Sequence, residues 1–182
     1  MFQFHYTITD DDYLKFNINH STQTNIGKAT VLTMQLSIPF ILVFIILLSF
    51  INGSTFSALM VETIIFTIVS IFWIIYYKKS ITRSLKRTMR ATKKSGRLPY
   101  IANGTLIFDE NFMHEDTALQ EIKTAYSLIE KIYTTNEALY IYTSAVSAVI
   151  LPYRFIESQE VFNSLLDFLQ EKTGKTIINI TK

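Results

Sequence analysis

Cysteine is absent from the chain, which excludes disulfide frameworks, cysteine-ligated zinc, iron–sulfur clusters and thiol catalysis, and leaves nothing that profits from an oxidising compartment. Charge is scarce as well. Only 18% of the residues are charged, against roughly 25% in an average soluble domain. Hydrophobic residues make up 49% and the mean hydropathy is +0.25, values that argue against disorder and against a wholly water-exposed protein. The 182 residues suffice for one ordinary domain, or for a smaller domain plus a membrane anchor.

Catalytic motifs are missing too. His114-Glu115 opens an HExxH pattern, but position 118 is alanine, so no zinc-protease helix is expected. Gly174-Lys175-Thr176 imitates the end of a phosphate-binding loop whose first glycine would fall at position 169, a leucine. No G-x-S-x-G is present, and His5, His20 and His114 are far apart. No catalytic residue, metal site or cofactor is expected, and the chain is read as no enzyme.

What is present is strongly segregated. From Ala29 to Val61 there is no ionisable side chain. A helix over 31–51 rises about 31 Å, close to the roughly 30 Å hydrocarbon thickness of a bilayer. Asn52-Gly53-Ser54-Thr55 supplies turn chemistry, and a second apolar run occupies 56–77, with Trp73, Tyr76 and Tyr77 near its far end. The run 31–77 therefore reads as a two-span hairpin, with Pro39 tolerated inside the first span. Glu62 is its one acidic or basic residue, either an intramembrane functional carboxylate or one that reaches headgroup water or is protonated.

Residues 78–97 carry nine Lys or Arg and no acid. The connecting turn carries none, so the positive-inside rule puts both termini in the cytoplasm of a multi-pass cell-membrane protein. At 100° per residue, Lys79, Arg83, Lys86, Arg87, Arg90, Lys94 and Arg97 fall within an arc of about 100°. Ile81, Leu85, Thr88 and Thr92 lie opposite. The stripe reads as a topology signal and a contact for anionic headgroups, or as a docking face for an acidic partner. Nucleic acid is not expected, since no recognition motif or stacking platform accompanies it. Thr9 with Asp12 forms a capping box that starts a helix running over 10–30 as the second member of a stalk, with Asp10 to Asp12 level with Lys93, Lys94 and Arg97.

Beyond Pro99 the period turns to alternation. Thr105 to Phe108 and Phe112 to Asp116 read as a hairpin around Asp109-Glu110-Asn111, with Asn111 in the left-handed position. Further strands are expected near 119–124, 130–134, 139–143 and 148–151. Ser158 caps a helix to about Lys172, apolar on one face, with Gly174 after it. Phe2, Phe4, Tyr6 and Ile8 alternate with Gln3, His5 and Thr7, as in a half-buried strand that joins the sheet. Five to seven antiparallel strands closed by one helix are expected. Tyr133, Tyr140 and Tyr142 read either as the lining of a peptide groove or as ordinary strand aromatics.

The opening Tyr6-Thr7-Ile8-Thr9-Asp10-Asp11-Asp12-Tyr13-Leu14, the hairpin, and the segments Leu106-Ile107-Phe108-Asp109-Glu110-Asn111, Tyr126-Ser127-Leu128-Ile129, Tyr140-Ile141-Tyr142, Leu151-Pro152 and Phe155 resemble the bacterial YcxB-like proteins. The resemblance implies a cytoplasmic domain similar to a pleckstrin-homology fold and brings no catalytic residue with it. Phosphoinositide-binding members of that fold place lysines and arginines on their first strands. Here Lys123 is the one base between Gly104 and Thr124, against five acids.

The expected class is α+β: an N-terminal strand (1–9), a stalk helix (10–30), a transmembrane hairpin (31–51 and 56–77), a basic stalk helix (78–97), a pleckstrin-homology-like domain (98–175) and a tail (176–182). Two functions follow. One is a membrane-anchored module that binds a cytoplasmic protein or peptide, with anionic lipid as its second partner. The other is a small accessory or immunity-type protein acting through its hairpin. Oligomeric state is open.

Overall fold

A computed structural model describes residues 1–180, apart from the side chain of Lys78. The chain divides into two compact units, residues 18–90 and residues 1–17 with 91 onward.

In the first unit, helix α2 (Asn25–Ile51) and the apolar part of helix α3 (Phe56–Lys94) are each long and apolar enough to cross a membrane. Their half-buried residues recur at heptad spacing: Gln35, Ile38, Leu42, Ile46 and Ser49 on α2, and Leu59, Glu62, Phe66, Ser70, Trp73 and Tyr77 on α3. That is the seam of two helices packed side by side. Most of their other residues face outward, with Phe40 75% and Phe72 73% exposed, an apolar surface of the kind that marks a membrane or protein contact. Two polar contacts cross between the helices. Gln35 Nε2 donates to the Ile74 carbonyl at 2.8 Å, and Ser49 Oγ donates to Glu62 Oε1 at 3.0 Å.

The expected stalk helix over 10–30 is broken. Helix α1 (Asp10–Gln23) ends before Thr24, whose extended backbone and side chain cap α2 by accepting from Gly27 N. A Cβ on Gly27 would lie 2.1 Å from the His20 carbonyl oxygen. In a continuous helix residues seven apart are separated by about 10.5 Å along the axis, so the chain turns sharply here. The Asn, Ser and Thr residues of 17–25 compete for backbone hydrogen bonds, and this weakens the helix where it breaks. The basic helix, expected to run to 97, ends at Lys94 in a Schellman motif: Arg97 N bonds the Thr92 carbonyl, Gly96 N bonds that of Lys93, and Gly96 has φ +76°.

The second unit is built on two four-stranded sheets. Strands β1 (Phe2–Thr7), β2 (Asn103–Phe108), β3 (Phe112–Thr117) and β4 (Glu121–Ala125) lie in that order, all antiparallel. Phe2 pairs with Phe108 and Tyr6 with Gly104. The other sheet orders β7 (Ala148–Pro152), β6 (Ala138–Tyr142), β5 (Lys131–Thr134) and β8 (Ile177–Asn179). The described residues therefore form eight strands, and the expected 176–182 tail is corrected: Ile177 to Asn179 pair in parallel with β5, because Ile177 and Ile180 pack against the buried clusters beside that edge; residues 181–182 of that tail lie outside the described residues.

The expected left-handed Asn111 is also corrected. No described non-glycine residue has positive φ. Asp109 Oδ1 instead accepts from the backbone N–H groups of Asn111 and Phe112 at 2.7 and 2.6 Å, and this side-chain turn removes the need for an αL residue. Likewise β4 begins at Glu121 rather than 119, since Thr117 to Gln120 form the preceding turn.

The core packs Phe4 and Tyr6 of β1 and Ile8 just after it with Leu106, Phe108, Met113, Ile132, Leu139, Ile141 and Leu151. Helix α4 (Gln159–Thr173) covers it with the fully buried Leu165 and Leu169, each worth about 1.5–3 kcal/mol of apolar burial. Ser158 caps its start by accepting from Val161 N at 3.2 Å, and Gly174, φ +64°, ends it.

Candidate functional site

Three groups of side chains stand out. The first is the basic face of α3 and its end. Lys79, Arg83, Lys86, Arg87, Arg90, Lys94 and Arg97 are all exposed, and none forms an ion pair among the described residues. Arg83 donates to the Tyr76 hydroxyl and its guanidinium stands 5.5 Å from that ring's centre. On the opposite side Ile81, Leu85 and Thr92 are half-buried, with Met89 rather than the expected Thr88 completing the row, the drift that a 3.6-residue period imposes on heptad spacing.

The second is Glu62. Its Oε1 takes the Ser49 hydroxyl, and its Oε2 is buried without a partner among the described residues, as is the indole Nε1 of Trp73 three turns along the same seam. Glu62 therefore faces α2 and not the exposed apolar surface.

The third binds α1 to the sheets. Thr9 and Asp12 close the capping box, Thr9 N donating to Asp12 Oδ2 at 2.7 Å and Asp12 N to Thr9 Oγ1 at 3.3 Å. Arg154, just past β7, donates to both Asp12 carboxylate oxygens at 2.8 and 2.6 Å and to the Thr7 carbonyl at 2.8 Å. Lys15 bridges Asp11 at 2.7 Å and Glu137, in the β5–β6 turn, at 2.5 Å. Asp10 accepts from Lys93 at 2.6 Å and from the Tyr100 hydroxyl at 2.5 Å. One turn further, Phe16 covers Tyr140 and Tyr142, ring centres 5.3 and 6.0 Å away.

The electrostatics follow these contacts. Burial pushes the Asp12 carboxyl up, but Arg154 and the two bonds from Thr9 pull harder and hold it down at about 2. Lys93, then Tyr100, lowers Asp10. Asp11, then Glu137, raises Lys15. Burial and the bond to Asp10 push the Tyr100 hydroxyl up to about 12. This is a charge-paired clamp that ties α1 to the sheets.

The acidic run at 10–12 signalled that opposite charges would meet, and Asp10 does meet Lys93. The partners Arg154, Lys15, Glu137 and Tyr100 carried no signal, being isolated residues at ordinary spacing. Tyr133, Tyr140 and Tyr142 are buried, so they form a small second core beneath Phe16 and not an open groove. The histidines stay apart: His5 Nδ1 contacts Thr105 Oγ1 at 2.9 Å and His114 Nε2 contacts Asp109 Oδ2 at 2.5 Å. Among the described residues no His, Asp and Glu cluster is suited to a metal.

Residues 108–169, from the end of β2 into the last turns of α4, match the model of the YcxB-like protein family, to which this stretch of the chain is similar. No curated protein matches the chain, and no solved structure does.

Proposed function

We propose that the chain is a non-enzymatic, membrane-anchored interaction module. α2 and α3 span the bilayer, both termini lie in the cytoplasm, and a pleckstrin-homology-like domain presents a binding edge to a protein or peptide at the inner face. The observation that carries this reading is α3 itself, one 39-residue helix that is apolar to Tyr77 and basic from Lys78. A helix of that composition suits a membrane segment continued into the cytoplasm, because bases are retained on that side. A four-stranded sheet, a second sheet and a C-terminal helix support the pleckstrin-homology likeness.

The stripe divides in this reading. At 1.5 Å per residue, Lys79 and Arg83 lie about 3 and 9 Å beyond Tyr77, within roughly one Debye length of about 8 Å at physiological salt. Arg90 and Lys94 lie about 20 and 26 Å out. Lys79 and Arg83 serve the anionic headgroups, and the outer bases are left for an acidic partner.

The domain's binding edge is β4. It ends its sheet, so among the described residues one row of its backbone groups has no strand beside it, and Leu119, Ile122 and Leu128 are exposed around it. An extended peptide adding to β4 would gain ladder hydrogen bonds and apolar contacts together.

The absence of cysteine makes the test clean. With N52C and S95C as single labels in the full chain, a membrane-impermeant maleimide should modify position 52 in intact cells and position 95 only after permeabilisation. The reverse pattern, or full solubility without detergent, defeats the anchor. A photo-crosslinker at Ile122 should capture a partner that one at Asn163 on α4 does not. A second reading, with the hairpin as the active part, rests on Glu62 and its buried Oε2. It requires loss of function on Glu62→Gln while crosslinking through Ile122 persists.

A further inference from the structure

A cavity of about 220 Å³ opens between β1, α1, residues 99–101, β3 and β7. It plays no part in the proposed edge binding. Among its walls are Tyr6, Tyr13, Phe16, Tyr100, Glu115 and Ile150. Three features define its chemistry.

It is lined by aromatic rings from separate elements, with Tyr13 and Tyr100 centred 5.2 Å apart and tilted by 35°. Two of its phenols point their protons at carboxylates: Tyr6 donates to Glu115 Oε1 at 2.5 Å and Tyr100 to Asp10 Oδ1 at 2.5 Å. Donation to an anion enriches the ring in electron density, which strengthens its attraction for a cation over its face. Finally, Glu115 is half-buried and has no lysine or arginine partner among the described residues.

An anion would meet the Glu115 charge, and a purely apolar guest would strip water from that carboxylate without replacing it. A cation with an apolar outer shell satisfies both rings and carboxylate. The volume is below the roughly 300–1,000 Å³ of pockets for drug-sized ligands, which limits the guest to a headgroup-sized ion. We propose that this cavity is a binding site for a small organic ammonium group, the aromatic rings facing its alkyl or N–H shell and Glu115 supplying the counter-charge. Free amines and the amine-bearing headgroups of lipids share that chemistry.

Calorimetric titration of the full chain in a maltoside detergent tests this, with choline and with its neutral isostere 3,3-dimethylbutanol. Saturable choline binding at least about tenfold tighter than that of the alcohol supports the site. Equal affinities, or no saturable choline binding, overturn it. Glu115→Gln should weaken choline binding about tenfold or more, and Tyr13→Leu should do the same by removing one ring. Tyr100→Phe keeps the ring and should retain most of the binding, so a fold defect in one variant does not decide the outcome. Choline is then compared with a monomeric short-chain phosphatidylcholine. Tighter binding of the lipid identifies a headgroup as the source, and equal binding identifies the free ion; both require the cavity. A lysine-bearing peptide that saturates the protein while choline does not overturns the proposal.

Discussion

Arg154 and Asp12 are 142 residues apart in sequence, yet the guanidinium holds both oxygens of the carboxylate at 2.8 and 2.6 Å. The same arginine also caps the Thr7 carbonyl, so one side chain fastens the end of β1 and the start of α1 to the segment after β7. Asp12 is only 10% exposed in its side chain, whereas Arg154 is 46% exposed. Hydrogen bonds to charged groups contribute about 1.5–3 kcal/mol, and solvent around the arginine brings the expectation to about 1–2 kcal/mol. Arg154→Ala should lower the stability of the sheet unit by that amount in denaturant titrations followed by near-UV circular dichroism.

The pH dependence of the same pair has a defined sign. The Asp12 carboxyl sits at about 2 in the folded chain, below the ordinary value near 3.9. A depressed carboxyl stabilises the fold fully above the unfolded value, and that contribution disappears as pH falls through the folded one. The wild type should therefore lose stability between about pH 4 and pH 2, and Asp12→Asn should flatten that part of the curve. An unchanged slope would mean that the pair contributes nothing.

Tyr6 and Gly104 make a third prediction. They are paired across β1 and β2, and a Cβ at 104 would lie 2.6 Å from the Tyr6 Oη and 2.8 Å from its Cζ. The ring crosses the glycine to reach Glu115, two strands away. Gly104→Ala should cost about 1–3 kcal/mol, as overpacking does. In a Tyr6→Leu background the same substitution should cost less, because the atoms it strikes are gone. Additive losses would place the cost elsewhere.

The elements read most directly from sequence were those with one dominant signal. The uncharged run from Ala29 to Val61, the alternation of Phe2, Phe4, Tyr6 and Ile8, and the Ser158 and Gly174 caps each correspond to a feature of the structure. Where two weak preferences compete, the sequence was silent. The α1–α2 elbow depends on Gly27 approaching the His20 carbonyl, a contact that no local propensity encodes. β8 is three residues long and is fixed by β5, its partner more than forty positions earlier in the chain. The turn at Asn111 departs from the expected left-handed form because Asp109 performs the task through its side chain. At the candidate site the stripe was legible because it is periodic, and the clamp was not, because Arg154 has meaning only once the chain has folded.

Base should act on the tyrosines. Burial, then the bond to Glu115, raises the Tyr6 hydroxyl; burial, then Asp109, raises Tyr126; and burial, then Tyr133 and Tyr140, raises Tyr142. A raised group stabilises the fold fully below its unfolded value near 10 and loses that contribution as pH climbs. Phenolate absorbance should show a late-titrating class that appears only with unfolding, and Tyr6→Phe should remove one member of it. Titration of all the tyrosines near pH 10 without unfolding would contradict this.

Within the hairpin, Ser49 and Glu62 link α2 to α3 at 3.0 Å. Hydrogen bonds between helices in lipid average about 0.6 kcal/mol and reach about 1.7. Ser49→Ala and Glu62→Ala should each destabilise the hairpin within that range, measured by unfolding in mixed micelles. Glu62→Gln keeps an acceptor oxygen for Ser49 and should lose less. Equal losses for the alanine and glutamine variants would show that the carboxylate charge, not the hydrogen bond, matters there.

The last prediction separates the inner and outer bases of α3. If the helix stands away from the membrane beyond Tyr77, an environment-sensitive fluorophore at S84C lies beside Arg83, about 10 Å out, and one at S95C about 27 Å out. Exchange of neutral for anionic lipid in nanodiscs should shift the emission at position 84, and the shift should fade as salt rises from about 0.05 to 0.5 M, because the screening length shrinks over that range. Position 95 should not respond. Lys79→Gln with Arg83→Gln should abolish the response at 84, whereas Arg90→Gln with Lys94→Gln should leave it intact. Equal shifts at both labels would mean that the helix lies along the leaflet with its whole stripe engaged, and the outer bases would then not be free for an acidic partner.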